Sequence, residues 1–262
     1  RHAFKSARAL AMPHPGRASR SPAYREDHMA LPRFLRRKMQ RALEREGALI
    51  YEDRMRADRF RALVDAPDTV IDVGVAGGTP WLYRAFPKAQ FLLVDPMPEC
   101  EARVAAAFPD LVFDFHPVAL GAEAGSVELK IPLVGENAHA SKASTLTRTD
   151  HFTPLVSDWE TREVPVQRLD ALAPTDGRLG LKIDTEGAEA TILRGATSML
   201  ARCDFVVLEL SLRKRFTEVD PPSVCIDLLG KAGLELRDVL SLNGGGTAQS
   251  PNHMDCLFTR WS

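Results

Sequence analysis

Val70-Ile71-Asp72-Val73-Gly74-Val75-Ala76-Gly77-Gly78-Thr79 sets the organisation of the whole chain. An apolar, β-rich run carries one acid and then breaks into glycine, and the helix-compatible Leu82-Tyr83-Arg84-Ala85-Phe86 follows. That order reads as a buried strand, a tight turn and a helix start. A glycine turn lets backbone N–H groups approach a small molecule, because no Cβ stands in the way. A second apolar run, Phe91-Leu92-Leu93-Val94, ends in Asp95, 21 positions after Gly74. An acid at the tip of a neighbouring parallel strand is where such folds hold a ribose by its hydroxyls. The pair of strands therefore predicts a nucleoside-containing cofactor. The turn reads Gly74-x-x-Gly77-Gly78 rather than GxGxxG, a spacing unsuited to a dinucleotide pyrophosphate. Asp72 lies inside the strand and needs a partner. Turn N–H groups, a cationic amino group of a ligand, or a tie to its own loop would each supply one.

Outward from this stretch, strand and helix alternate. Strands are expected over 69–74, 90–95, 111–118, 126–131, 179–184, 204–210, 234–240 and 254–260. Helices are expected over 80–86, 98–107, 187–201 and 221–232. Repeated βα units imply a mostly parallel sheet covered on both faces. Between the last two strands stands Asn243-Gly244-Gly245-Gly246-Thr247 and no helix, so the final strand should return antiparallel. Residues 132–162 show little periodicity and read as a long irregular loop over the substrate side.

The 262 residues divide by charge. Residues 1–63 hold 16 Lys/Arg against 7 Asp/Glu, and residues 64–262 hold 18 against 28. Residues 1–28, rich in breakers and without an acid before Glu26, read as a disordered basic arm. A transit-peptide composition and an upstream or vector-derived extension before Met29 are both compatible with it. Residues 29–65 read as a helical cap, with Gly47 separating two helices, and residues 66–262 as the main domain. The basic face Arg33, Arg36, Arg37, Lys38 and Arg41 could touch a membrane surface or nucleic acid. A solvated helix face is the commoner explanation for such a run, and no nucleic-acid partner is expected. Cys100, Cys203, Cys225 and Cys256 are scattered without metal or disulfide spacing, which favours a reducing, cytoplasmic setting.

A second informative stretch is Lys182-Ile183-Asp184-Thr185-Glu186-Gly187-Ala188-Glu189. An apolar strand here ends in four charged groups. Alternation puts Lys182 and Asp184 on one side, and Glu186 and Glu189 share a helix face. The C-terminal edge of a parallel sheet is where ligands bind. Glu209 interrupts Phe205-Val206-Val207-Leu208 and also needs a partner, for which Lys182 on the adjacent strand is the candidate.

Together these residues resemble the FkbM family of S-adenosylmethionine-dependent methyltransferases. The resemblance is carried by Val70–Gly78, Val94-Asp95-Pro96, Ala119-Leu120-Gly121, Ser144-Thr145-Leu146, Val164–Leu172, Leu181–Ala196 and Val206–Glu209. It implies a class I methyltransferase fold, a Rossmann-like α/β sheet of seven strands with the last inserted antiparallel, here with an N-terminal helical extension. It also implies S-adenosylmethionine as cofactor. By position, Asp72, Gly74, Ala76, Gly77, Gly78 and Thr79 match the cofactor turn. Asp95 and Pro96 match the ribose position, and Ala119 and Leu120 the adenine border. Asp184, Glu186 and Glu189 match the acidic block at the substrate edge. Where the family's turn commonly reads Ala-Asn, this chain has Val75-Ala76.

The activity this implies is methyl transfer, with O-methylation of a hydroxyl or carboxyl on a small-molecule, glycan or lipid acceptor as the leading reading. Candidates for proton removal or acceptor positioning are Asp184, Glu186, Lys182, Glu209 and His139, with His151 as a further histidine of the 132–162 segment. The acidic cluster matches no recognised metal loop, so no metal is expected. A nicotinamide-dependent oxidoreductase is disfavoured by the missing GxGxxG. A degenerate fold acting as a binding module is disfavoured by the intact glycines and Asp95.

Overall fold

The computed structural model describes residues 33–45, 54–135, 137–149, 153–243 and 251–261. The chain divides into two units, residues 1–52 and 53–262. Of the first, the described part is one helix, α1 (Arg33–Arg45). The basic arm 1–28, Gly47, His151 and the glycines 244–246 lie outside the described residues.

The larger unit opens with α2 (Ala57–Phe60), then β1 (Thr69–Val73), α3 (Pro80–Ala85), β2 (Gln90–Val94), α4 (Glu99–Ala107) and β3 (Phe113–His116). Next come β4 (Ala119–Leu120), β5 (Gly125–Val134), β6 (Asn137–Ala138) and β7 (Asp158–Gln167). The chain closes with α5 (Leu169–Leu172), β8 (Leu179–Ile183), α6 (Glu189–Arg194), α7 (Thr197–Leu200), β9 (Cys203–Ser211), α8 (Pro222–Lys231), β10 (Leu234–Asn243) and β11 (His253–Arg260). No described helix is long and apolar enough to cross a membrane.

Seven strands form one sheet in the order β10-β11-β9-β8-β1-β2-β3. β1, β2, β3, β8 and β9 pair in parallel, and β11 runs antiparallel to both β9 and β10. This is the class I methyltransferase order, with the last strand inserted antiparallel as the closing hairpin predicted. Apolar side chains alternate between two cores, which is why the central strands read as continuous hydrophobic runs. Ile71, Val73, Leu181 and Ile183 enter one core, while Val70, Leu93 and Val207 enter the other. Asp72 and Lys182 sit between those residues in sequence and so share the second face.

Three local expectations need correction. Residues 54–65, assigned above to a helical cap, belong to the larger unit, where the fully buried Phe60 packs edge-to-face on Trp81 and Phe205. The expected helix 187–201 is two helices, because Gly195 and Ala196 interrupt it. The 132–162 stretch is irregular only in its middle: its two ends, with β6, enter a second sheet ordered β4-β7-β5-β6. β5 and β7 pair antiparallel from Gly125↔Val166 to Leu133↔Asp158. Most of β7 is exposed or half-buried, so its polar sequence gave no burial pattern to detect.

Candidate active site

The glycine turn joins β1 to α3 at the C-terminal edge of the large sheet. Gly74 adopts φ +78°, and a Cβ there would lie 1.9 Å from the Asp184 carbonyl oxygen. The turn is thus pressed against the end of β8, and only glycine fits. Ala76 holds φ 48°, a left-handed conformation that an L side chain adopts at a cost. It is one of the two positions where this chain departs from the family's common Ala-Asn.

Asp95, at the tip of β2, clamps that turn. One carboxylate oxygen accepts from the Ala76 N–H at 2.9 Å and the other from the Met97 N–H at 2.9 Å. Burial pushes the Asp95 carboxyl upward, against the pull of those two donors. A cleft of about 640 Å3, counting space open to solvent, runs from this turn along the sheet edge. Gly74, Ala76, Asp95, Pro96, Ala119, Leu120, Asp184 and Glu186 all line it. Ser141, Ala143, Ser144 and Thr145 face them from the second sheet's connecting segment. The cleft therefore pairs an apolar wall with two buried carboxylates, Asp95 and Glu186, and a small-residue turn.

The remaining turn residues have structural positions. Asp72 is fully buried, and its carboxylate accepts from the Tyr83 hydroxyl at 2.8 Å and meets the Lys182 ammonium at 3.2 Å. Gly78, at φ +101°, lies under the Phe108 and Tyr83 rings, and Thr79 is buried immediately before α3. Asp72, Gly77, Gly78 and Thr79 do not line the cleft itself.

The charged block separates into distinct roles. Lys182 is buried and faces Asp72 at 3.2 Å, Asp184 at 3.5 Å and the Gly74 carbonyl at 3.4 Å. Burial would draw its ammonium down, but Asp72 and Asp184 outweigh it and hold it above its usual range. The expected Lys182–Glu209 pair is therefore replaced by Lys182–Asp72. Register decides this: Lys182 is level with Asp72 on β1 and with Val207 on β9, so Glu209 stands two residues further on. Glu209 instead pairs with Arg215 and approaches His253 Nε2 at 3.4 Å. Burial and the Asp184 charge raise its carboxyl, against Arg215. Burial and Arg215 lower His253, which favours the neutral imidazole.

Glu186 meets Lys142 at 2.6 Å, Arg148 at 2.7 Å and Arg215 at 3.3 Å, and its carbonyl accepts from the Ser144 hydroxyl at 2.7 Å. The Phe216 ring lies against both guanidiniums, 4.8 Å from that of Arg148 and 5.6 Å from that of Arg215. This network ties the 141–148 segment to the edge of the large sheet. Asp184 is different, with a side chain 41 % exposed on the cleft. His139 directly follows β6, where its backbone N–H donates to the Pro132 carbonyl of β5, and it does not line the cleft.

Glu189 ties down the turn that precedes its helix: one carboxylate oxygen accepts from the Thr185 N–H, the Thr185 hydroxyl and the Gly187 N–H at 3.1–3.2 Å. Burial raises its carboxyl from 4.5 to about 7. A carboxyl raised in the folded state stabilises the protein when protonated. That contribution is complete below pH 4.5 and is lost as pH rises through about 7. Urea unfolding of the wild type should show this fall over that window, and Glu189→Gln should make it smaller, the raised Asp95 and Glu209 carboxyls supplying the remainder. An equal fall in the variant would assign the pH dependence to other groups.

Sequence reasoning missed Tyr83, Lys142, Arg148, Arg215 and His253. The one usable signal was Ser144-Thr145-Leu146, quoted above for the resemblance, since Ser144 and Thr145 line the cleft.

Residues 71–244, about two-thirds of the chain, match the methyltransferase FkbM domain. The chain belongs to the FkbM methyltransferase family. None of the curated proteins matches it. Solved structures similar to this FkbM methyltransferase include the N-methyltransferase NodS from Bradyrhizobium japonicum, at 11% identity over 88% of this chain and 98% of that one, with a TM-score of 0.44. A TehB-like methyltransferase from Corynebacterium glutamicum shares 13% over 87% and 97%, at 0.40. The magnesium protoporphyrin IX methyltransferase from Synechocystis shares 9% over 78% and 78%, at 0.42.

The donor of this FkbM methyltransferase is S-adenosylmethionine, an adenosine bearing a charged amino-acid arm. The cleft fits that shape. Asp95, the apolar Pro96, Ala119 and Leu120, and Gly74 and Ala76 of the turn line it together, the residue types that a ribose, an adenine and an amino-acid arm would meet.

Proposed function

We propose that this FkbM methyltransferase O-methylates a hydroxyl or carboxyl on a sugar, lipid or natural product. The reading rests on Asp184, the half-exposed acid that shares the cleft with Asp95 and the glycine turn. S-adenosylmethionine supplies an electrophilic methyl group when bound. The chain must then orient an acceptor oxygen, remove its proton where it has one, and exclude water. Asp184 is the carboxylate free to accept that proton or to orient the O–H. Lys182, at 3.5 Å, fixes its position from behind. Glu186 cannot take the same role, because three cations occupy its two oxygens. Its part is to hold the 141–148 segment across the cleft, which limits the entry of water. Glu209, paired with Arg215, belongs to the same supporting network.

The test is transfer of radiolabelled methyl groups from S-adenosylmethionine into a cell extract, followed by identification of the labelled species. Label should enter a glycan, lipid or small molecule at oxygen. Asp184→Asn should lower incorporation by about 10²–10⁴-fold, with donor affinity nearly unchanged by calorimetry. Full incorporation by the variant removes Asp184 from the mechanism, and label confined to RNA overturns the acceptor class.

A further inference from the structure

We propose that α1 is an interfacial helix that docks the protein onto a membrane surface bearing anionic lipid. The inference is independent of the acceptor and of the cleft. Leu35, Met39, Ala42 and Leu43 recur at helical spacing and form one apolar strip, with Phe34 at its border. In most globular helices such a strip is covered by a core. Here Phe34 is 69% exposed, Met39 44% and Leu43 37%.

The rest of the helix is cationic. Arg33–Arg45 carries six Lys/Arg against the single acid Glu44, which accepts from Gln40 at 2.9 Å. Arg37, Lys38 and Arg41 are exposed. Thirteen residues make a helix about 20 Å long, too short to span a bilayer and suited to lying in its surface. The apolar strip enters the acyl boundary while the surrounding cations meet lipid phosphates and carboxylates.

Charge complementarity selects this occupant. A nucleic acid would neutralise the cations but leave the Leu35–Met39–Leu43 strip in water. A second copy of α1 would cover the strip but bring two cationic helices together. An acidic protein surface meets the charges and not the strip. An anionic bilayer satisfies both.

The experiment is sedimentation of the full chain with vesicles of phosphatidylcholine alone and of two parts phosphatidylcholine to one part phosphatidylserine. Binding should be confined largely to the phosphatidylserine vesicles and should weaken with added salt. Met39→Glu/Leu43→Glu should reduce it by at least about tenfold, whereas Met39→Leu should keep it. Donor affinity, measured on the same samples, reports that residues 53–262 of the variants remain folded, since neither residue belongs to the cleft. Three results overturn the proposal: no binding to phosphatidylserine vesicles, binding that survives Met39→Glu/Leu43→Glu, or RNA binding that displaces vesicles and is indifferent to that variant.

Discussion

Lys182→Met is expected to destabilise the protein by about 3–5 kcal/mol, read as a lowered urea midpoint at unchanged m-value. Asp72 has no solvent exposure, and Lys182 is the cation that balances it at 3.2 Å. Removing the ammonium leaves a buried carboxylate with the Tyr83 hydroxyl as its remaining hydrogen-bond donor. A domain of this kind has a net stability of about 5–15 kcal/mol, so the loss is a large fraction of the total. Replacing both partners by apolar groups, Asp72→Leu with Lys182→Met, should recover most of it, because no uncompensated charge then remains. The single variant should also weaken donor binding, since Lys182 reaches the Gly74 carbonyl and Asp184. A single-variant loss below about 1 kcal/mol would mean that Asp72 is neutralised by other means.

The second large effect concerns the donor. Asp95→Ala should lower S-adenosylmethionine affinity by about 10–100-fold, the equivalent of one or two charge-assisted hydrogen bonds. The carboxylate acts twice. It presents oxygens to the cleft, and it positions the turn through the Ala76 and Met97 N–H groups, both at 2.9 Å. Asp95→Asn keeps one acceptor oxygen and should fall between the two. Isothermal titration calorimetry measures all three proteins, and unaltered affinity in Asp95→Ala would remove this residue from the donor site.

Much of the architecture was legible because burial leaves periodic traces. β1, β2, β8 and β9 are covered on both faces and read as apolar runs, and the glycine run in the sequence before β11 marked the antiparallel return. The turn side of the cleft was legible for a related reason. Gly74 and Asp95 sit at strand ends, where the sequence changes abruptly from apolar to turn chemistry. The second sheet was legible in one strand, since the expected strand 126–131 lies in β5, but its partner β7 was not. Most of β7 is exposed or half-buried, and its order comes from pairing with β5 across the intervening segment.

The sequence by itself determined the strand–helix alternation, the glycine turn, the acid after β2 and the charged end of β8. These follow from local backbone preferences and the period of apolar side chains. Tertiary structure decided which charges meet. Lys182 pairs with Asp72 rather than Glu209 because strand register brings those two level. Glu186 is taken up by Lys142, Arg148 and Arg215, which are 44, 38 and 29 positions away in the chain. Asp184 is left facing the cleft. Ion pairing depends on distance in space and on burial, and neither is written in the spacing of residues along a strand.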